Sequence, residues 1–543
     1  MEGVWRGGAV KRKGRVAAAF AVMALVLAAC SSDEPGDTDG TDTGTAEPAD
    51  VTIIHGTTDS IVSLDPAGQY DFGSNQISQQ VYSTLLEVPA GGSLPEPALA
   101  ESCETEDSTV YTCTLQDGLT FSDGSPLTSE DVAFSFQRNI EIDDPQGACS
   151  LLASLAACGK WKDSAIETPD DTTVVFNLQA PNAVWPSVLT TSAAFIVPSE
   201  VYPADALQPD DQVVGSGRYT LAEYRPGEQV VLEANPSFYG DAPLNTRVFV
   251  QYFKQSSALK LALEQGEVDI GWRTFTPTDV SSLEGAEGLS VVEGPGGEIR
   301  YFAFNLNLEP GDEPAVRQAA AMLIDRQAIA DNVYEGTVDP LYSMLPAGFA
   351  GHTEAFAERY GEGPDPDGAA QVLDDASVQT PVELELWWTP THYGDASADE
   401  YAEIKRQLEE GGLFSVTLES TEWDQYTEDA FTDGYPAYQL GWFPDYVDGD
   451  NYIASFYSSA SFLNIHYENQ EVDDLIAVEQ GSTDDAEREG SFQRIQEITA
   501  EEAPIIPIWQ GTQLAIVRDG VTGVEDTLDP TYIFRYWLIS KSE

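Results

Sequence analysis

The chain has 543 residues, 42% of them hydrophobic and 10% aromatic, the composition of a globular protein with room for two or three core-bearing units. It carries 92 acidic against 25 basic residues, a formal net charge of −67. That charge repels nucleic acid and anionic bilayers and excludes both as binding partners.

The chain opens on a basic head, Arg6, Lys11, Arg12, Lys13 and Arg15, followed by an apolar run from Val16 to Ala29. Fourteen apolar residues are too few to cross a hydrocarbon core of about 30 Å as a helix, so residues 1–29 read as a secretory signal. Leu27-Ala28-Ala29-Cys30 resembles the bacterial lipoprotein cleavage box, which makes Cys30 the expected first mature residue and the site of lipidation. Residues 31–50 contain only Ser, Asp, Glu, Gly, Thr, Pro and Ala and cannot bury enough surface to fold. The expectation for 30–50 is a lipidated cysteine on a disordered acidic tether reaching about 25 Å. Cleavage removes five basic residues and one acidic, leaving 20 against 91, a formal −71. The carboxylates are spread along the chain, as on a solvated surface suited to a salty or acidic habitat.

Farther on, Val51–Ile54 reads as a strand, and the Ile77, Val81, Leu85 spacing predicts a helix over 77–86. Thr109–Leu115 alternates as a strand, flanked by Cys103 and Cys113. Thr128 with Asp131 three residues on has the form of a capping box before Val132, Phe136 and Ile140. Strands are expected at Thr173–Leu178 and Val230–Leu232, and a helix over Ser257–Glu264, closed by Gly266, leads into a strand at Val268–Ile270. Pro314 suits the first position of a helix with Val316, Ala319, Ala320 and Leu323 on one face. Val382–Trp388 reads as a strand, Glu400–Leu408 and Phe492–Ile498 as helices, and Ile505–Trp509 as a last strand. Strands and helices in irregular alternation give an α/β (α+β) class with mixed sheets. Four cysteines remain after lipidation, an even count in an oxidising compartment, and local pairing of Cys103 with Cys113 and Cys149 with Cys158 is preferred among three connectivities. Their spacings, with only His55, His352, His392 and His466 to assist, do not suit a thiolate metal site.

Ordered stretches along the chain carry a family resemblance. They are Gly118–Val132, Gly215-Ser216-Gly217-Arg218-Tyr219, Asn235–Gly240, Gly266–Ile270, Asn305, Val316-Arg317-Gln318-Ala319, Ile324-Asp325-Arg326, and Gly441-Trp442-Phe443-Pro444-Asp445-Tyr446. In this order they resemble the bacterial extracellular solute-binding proteins of the dipeptide, oligopeptide and nickel type, receptors of ATP-driven importers. Most of these stretches have structural explanations: acidic residues favour a helix's first turn, and Asp325-Arg326 reads as a stabilising pair. The resemblance implies a two-lobed periplasmic-binding-protein-like fold with discontinuous domains. Lobe one would hold 51–80, 213–299 and 507–543, an inserted subdomain 81–212, and lobe two 300–506. It implies a monomeric receptor, not an enzyme and without a cofactor, held extracytoplasmically by its lipid and handing a peptide to a membrane permease.

In peptide receptors of this family the acidic residue of a Trp-x-x-Asp-Tyr segment meets the ligand's α-ammonium, and Trp442 and Asp445 stand at that spacing. The bland alternative is an acidic surface loop formed by Asp445, Asp448, Asp450 and Asn451. Trp387, Trp388, Trp423 and Trp442 could stack on a ligand or fill the core. Adjacent strand residues point to opposite faces, so at most one of Trp387 and Trp388 lines a cleft from that strand, and Trp388 is the candidate. Tyr70 and Tyr301 are further cleft candidates, and Arg273 or Arg300 could answer a ligand carboxylate. An oligosaccharide receptor and a nickel-chelate receptor are alternatives within the class. A secreted hydrolase is the alternative outside it, although His-Glu-x-x-His, Gly-x-Ser-x-Gly and Cys/His signatures are missing.

Overall fold

The computed structural model describes residues 51–542 apart from 274, 391 and 395. The expected signal segment, Cys30 and the tether lie outside the described residues. No helix among the described residues is long and apolar enough to cross a membrane.

Two mixed sheets organise the molecule. A seven-stranded sheet runs in the order Leu289–Gly294, Gln513–Arg518, Ile270–Trp272, Thr52–Thr57, Arg247–Tyr252, Gln229–Ala234, Tyr219–Arg225. A six-stranded sheet runs Val338–Pro340, Ile505–Gly511, Ile299–Phe304, Ala437–Trp442, Val382–Trp388, Phe414–Ser420. Both are covered on two faces, as the alternation of their side chains requires. Ile53, Val248 and Val517 join one core of the first sheet, while Ile54 and Ile516 face a second, smaller one. In the other sheet Phe302 and Phe304 enter one core and Ile299 and Tyr301 the opposite one. A separate four-stranded antiparallel sheet, Ala100–Thr105, Val110–Leu115, Thr173–Asn177, Ile166–Asp170, packs against the helix Ser129–Ile142 around its own core.

Local chemistry accounts for many element boundaries. Thr128 and Asp131 form the reciprocal capping box, and the helix they open ends at Asp143 in the left-handed region. Pro314 is the first residue of the helix Pro314–Leu323. The helix expected over 77–86 instead spans Phe72–Val81, because Asp71 accepts from Ser74 N and starts it earlier. Asp325 accepts from Ala328 N and caps the helix Arg326–Asn332, whereas Arg326 donates to Pro507 O. The two residues are structural, but through separate partners and not as an ion pair. The strand expected to end at Trp509 continues to Gly511, pairing in the six-stranded sheet. The crossing expected at 506/507 therefore falls inside a strand, and the chain changes sheet between Gly511 and Gln513.

Gly215 and Gly217 lie where two backbone segments touch. A Cβ on Gly215 would stand 2.1 Å from Val81 O, and one on Gly217 2.4 Å from Gln80 O. Only glycine permits that approach, and Gly217 N donates to Val81 O at 3.0 Å. Disulfides join Cys103 to Cys113 across paired strands and Cys149 to Cys158 beside the same core.

Candidate functional site

A cavity of about 490 Å³ lies where the three sheet-bearing parts approach one another. Tyr70, Asp71 and Phe72 contribute from the segment after the first strand, Thr190–Ser192 from the part that holds the four-stranded sheet, and Tyr301 and Gly441–Val447 from the six-stranded part. The volume is that of a site for a small organic ligand. Hydrogen bonds that span the surrounding parts include Tyr70 to Asp445, Ala183 N to Gln480 O at 2.6 Å, and Thr278 and Ser281 to Glu335 at 3.3 and 2.8 Å.

The strand Ala437–Trp442 delivers Trp442 to the cavity edge, and Pro444, with no N–H to give, lies just beyond its end. The Trp442–Asp445 spacing has a local cause in Asn451, on the first turn of the helix Asp450–Tyr457. Asn451 Oδ1 accepts from Trp442 Nε1 at 2.9 Å and from Asp445 N at 3.0 Å, while its Nδ2 donates to Asp445 Oδ2 at 3.2 Å. Asn451 is 2% exposed, so one buried amide fixes both motif residues. Tyr70 OH donates to Asp445 Oδ1 at 2.6 Å. Each oxygen of the carboxylate thus has a neutral donor, and among the described residues Asp445 has no ion-pair partner. Burial pushes its pKa up to about 6, with the Tyr70 and Asn451 hydrogen bonds opposing. The stretch around it is not a free acidic loop: Asp450 and Asn451 are buried, and Asp448 pairs with Arg488 at 2.7 Å.

The other candidates divide by placement. Tyr70, Tyr301 and Trp442 line the cavity with Asp445. Arg300 does not: it alternates with Tyr301 along the strand and faces the opposite core, pairing with Glu298 at 2.6 Å beneath the Tyr393 ring at 3.9 Å. Arg273 is also outside the lining, its guanidinium 3.7 Å from the Phe72 ring centroid and 3.6 Å from Asp59. Trp388 packs against the core and stacks on Tyr401, and Trp387 stacks on Tyr435 at 4.2 Å, so neither enters the cavity. Trp423 does, with His392 stacked on one face at 3.5 Å. Burial first, then Arg300 and Arg273, push the His392 pKa down to about 4.

The sequence reading missed Asp71, Phe72, Tyr393, Phe443, Tyr446 and Tyr532 as lining residues. Phe443 and Tyr446 sat inside the Gly441–Tyr446 segment already singled out, and Asp71 was readable as a helix cap. Tyr393 and Tyr532 come from loops with no local signal.

A ligand-sized cavity between mixed sheets defines an α/β binding protein of the two-lobed periplasmic type. The model of the bacterial extracellular solute-binding proteins, family 5 (middle region), matches residues 95–464, and the chain belongs to this family. The dipeptide-binding protein DppE of Bacillus subtilis is 24% identical over 531 residues, covering 92% of this chain and 94% of that protein. Heme-binding protein A of Haemophilus influenzae is 26% identical over 533 residues, covering 93% and 95%. The periplasmic binding protein DppA of Helicobacter pylori, solved with the peptide STSA, superposes with a TM-score of 0.76 at 22% identity, covering 91% of this chain and 98% of that one.

Proposed function

We propose that this chain is the extracytoplasmic substrate-binding protein of an ATP-driven importer, anchored through lipidated Cys30, which captures di- or oligopeptides by their α-ammonium group. The observation that carries the reading is Asp445. Its carboxylate is held by two neutral donors at the cavity wall, has no cation partner among the described residues and faces a space of ligand size. A carboxylate taken partly out of water without a countercharge is costly, and an ammonium brought by the ligand removes that cost. A charge-assisted hydrogen bond of this kind contributes about 1.5–3 kcal/mol. Several relatives are dipeptide-binding proteins, which supports this reading. Closure of the lobes on the ligand would present the form the permease reads. The protein acts as a monomer and transforms nothing. We divide the lobes as the sequence suggests, except that Ile299–Phe304 and Ile505–Gly511 both pair in the six-stranded sheet, so the two crossings lie between Gly294 and Ile299 and between Gly511 and Gln513.

The oligosaccharide alternative fares less well because only two of the four tryptophans named for stacking, Trp423 and Trp442, line the cavity, each with one face on a protein ring. Trp387 stacks on Tyr435, Trp388 on Tyr401, Trp423 on His392 and Trp442 on Phe462. The nickel alternative finds little support among the described residues. The one group of three ligating side chains found among the described residues, Asp143, Cys149 and Cys158, includes both partners of a disulfide. A thermal-shift screen of di- to pentapeptides, oligosaccharides and nickel tests the reading. Peptides should raise the melting temperature, with the rise largely lost in Asp445→Asn; a rise with sugars alone would overturn it.

A further inference from the structure

The cavity wall is asymmetric in charge. Two carboxylates line it, Asp71 and Asp445, and none of its described lining residues is a lysine or arginine. Neither arginine named from the sequence lines it: Arg300 pairs with Glu298 beneath Tyr393, and Arg273 lies over the Phe72 and Phe443 rings with Asp59 at 3.6 Å. Asp71 uses one oxygen to cap its helix, accepting from Ser74 N at 2.8 Å. Its other oxygen, Oδ2, is buried without a hydrogen-bond partner among the described residues. A second unpartnered group points to a ligand independently: Tyr301 lines the cavity, is 1% exposed, and its hydroxyl has no partner among the described residues. The rest of the wall is dominated by rings. In its arm within the six-stranded part, Trp423, Phe431, Trp442 and Phe462 surround Leu440 and Thr427, with Trp442 and Phe462 at 5.5 Å and Phe431 and Phe462 at 5.8 Å.

From this we infer that the cavity selects organic amines that carry apolar or aromatic surface and bring no carboxylate into it, so that a C-terminally blocked peptide fits where a zwitterionic dipeptide does not. The inference rests on the proposed role of Asp445 as the ammonium acceptor and adds what the other end of the ligand must be. A dipeptide confined to the cavity places its terminal carboxylate against a wall that holds two like charges, while the nearest guanidinium, that of Arg273, lies behind the Phe72 and Phe443 rings. At the dielectric of a protein surface, one uncompensated like charge within several ångströms weakens binding by at least about tenfold. A cationic amine meets the opposite balance: a carboxylate to bond, a second carboxylate to neutralise, and ring faces that attract positive charge. The aromatic arm supplies the apolar contact, and a donor or acceptor on the ligand satisfies the Tyr301 hydroxyl.

The test uses four forms of one dipeptide, Phe-Phe: unmodified, C-terminally amidated, N-acetylated, and blocked at both ends, titrated calorimetrically into the purified protein. The amide with a free amine should bind at least about tenfold tighter than the unmodified dipeptide, and both acetylated forms should fail to bind. If the unmodified dipeptide binds as tightly as the amide while acetylation abolishes both, the inference is overturned and the peptide reading stands. If acetylation makes no difference, Asp445 is not the ammonium acceptor and both readings fall, as they do if no form binds. Asp71→Asn keeps a helix-capping side chain and removes one of the two charges. It should shrink the preference for the amide to less than about threefold, whereas an undiminished preference would remove Asp71 from the selection.

Discussion

Tyr70 OH donates to Asp445 Oδ1 at 2.6 Å across 375 positions of sequence. The bond ties the segment that follows the first strand of the seven-stranded sheet to the loop that ends a strand of the six-stranded sheet. Because it opposes the effect of burial on Asp445, it helps keep that carboxyl ionised near neutral pH. Binding of an ammonium requires the ionised form, so affinity should fall as pH drops through about 6. Tyr70→Phe removes the opposing bond, raises the carboxyl pKa further, and moves the loss of binding to higher pH. A series of calorimetric titrations of the amidated dipeptide between pH 5 and 8 measures both midpoints.

The same carboxyl has a stability signature in the ligand-free protein. Its folded pKa of about 6 lies above the usual carboxylate value of 3.8. The folded state therefore holds its proton more tightly than the unfolded state does. Below about pH 4 the shift contributes nothing, between 4 and 6 stability falls as pH rises, and above 6 the cost is fully present. Asp445→Asn removes this cost. Without ligand the variant should gain on the wild type between pH 4 and 6 and level off above. The plateau should be about 1–3 kcal/mol, the lower end reflecting a carboxyl only half-buried. Urea unfolding at pH 4, 5, 6 and 7 reads the trend, and a difference independent of pH would contradict it.

Much of the fold was written locally. The Thr128–Asp131 box, Pro314 at a helix start and the Val382–Trp388 alternation each needed only neighbouring residues. The helix start at Phe72 is equally legible through Asp71, whereas the Ile77–Leu85 spacing runs beyond the helix's end at Val81. The site was legible only in part. Asp445 and Trp442 share a motif because both bind Asn451, a local reason. The exclusion of Arg300 also followed from strand alternation, once Tyr301 was assigned to the cavity. Asp71, Tyr393 and Tyr532 reach one wall only after distant segments converge, and no periodicity records that convergence.

Asp65 shows what the Leu64-Asp65-Pro66 loop does. Its two oxygens take Arg138 Nη1 and Nη2 at 2.6 and 2.5 Å and also accept from the backbone N–H of Ala67 and Gln208. Arg138, on the helix Ser129–Ile142, further donates to Pro203 O and Ala206 O, and both side chains are almost fully buried. Removing one partner strands a charge without an outlet to solvent. Asp65→Asn and Arg138→Met should each cost about 3–5 kcal/mol in chemical denaturation. The double variant should cost clearly less than the sum, since it leaves neither charge alone.

Gly441 separates the cavity from the buried Arg300. It lines the cavity, and a Cβ placed on it would stand 2.0 Å from Arg300 Nη1. The guanidinium has little room to yield, pinned by Glu298 at 2.6 Å between the Tyr393 and Trp509 rings at 3.9 and 4.9 Å. Tyr393 OH also accepts from Gly441 N at 2.9 Å, so displacing either residue shifts the other. Gly441→Ala should therefore cost about 1–3 kcal/mol of stability, the usual effect of one methyl forced into a packed site. Because Gly441 and Tyr393 both line the cavity, ligand affinity should drop as well. Gly441→Ala combined with Arg300→Met removes the guanidinium atoms that clash. If the guanidinium contact is the cause, the double variant regains affinity that the single variant lost, measured by the same titration; persistent loss would place the cause in the Tyr393 hydrogen bond instead.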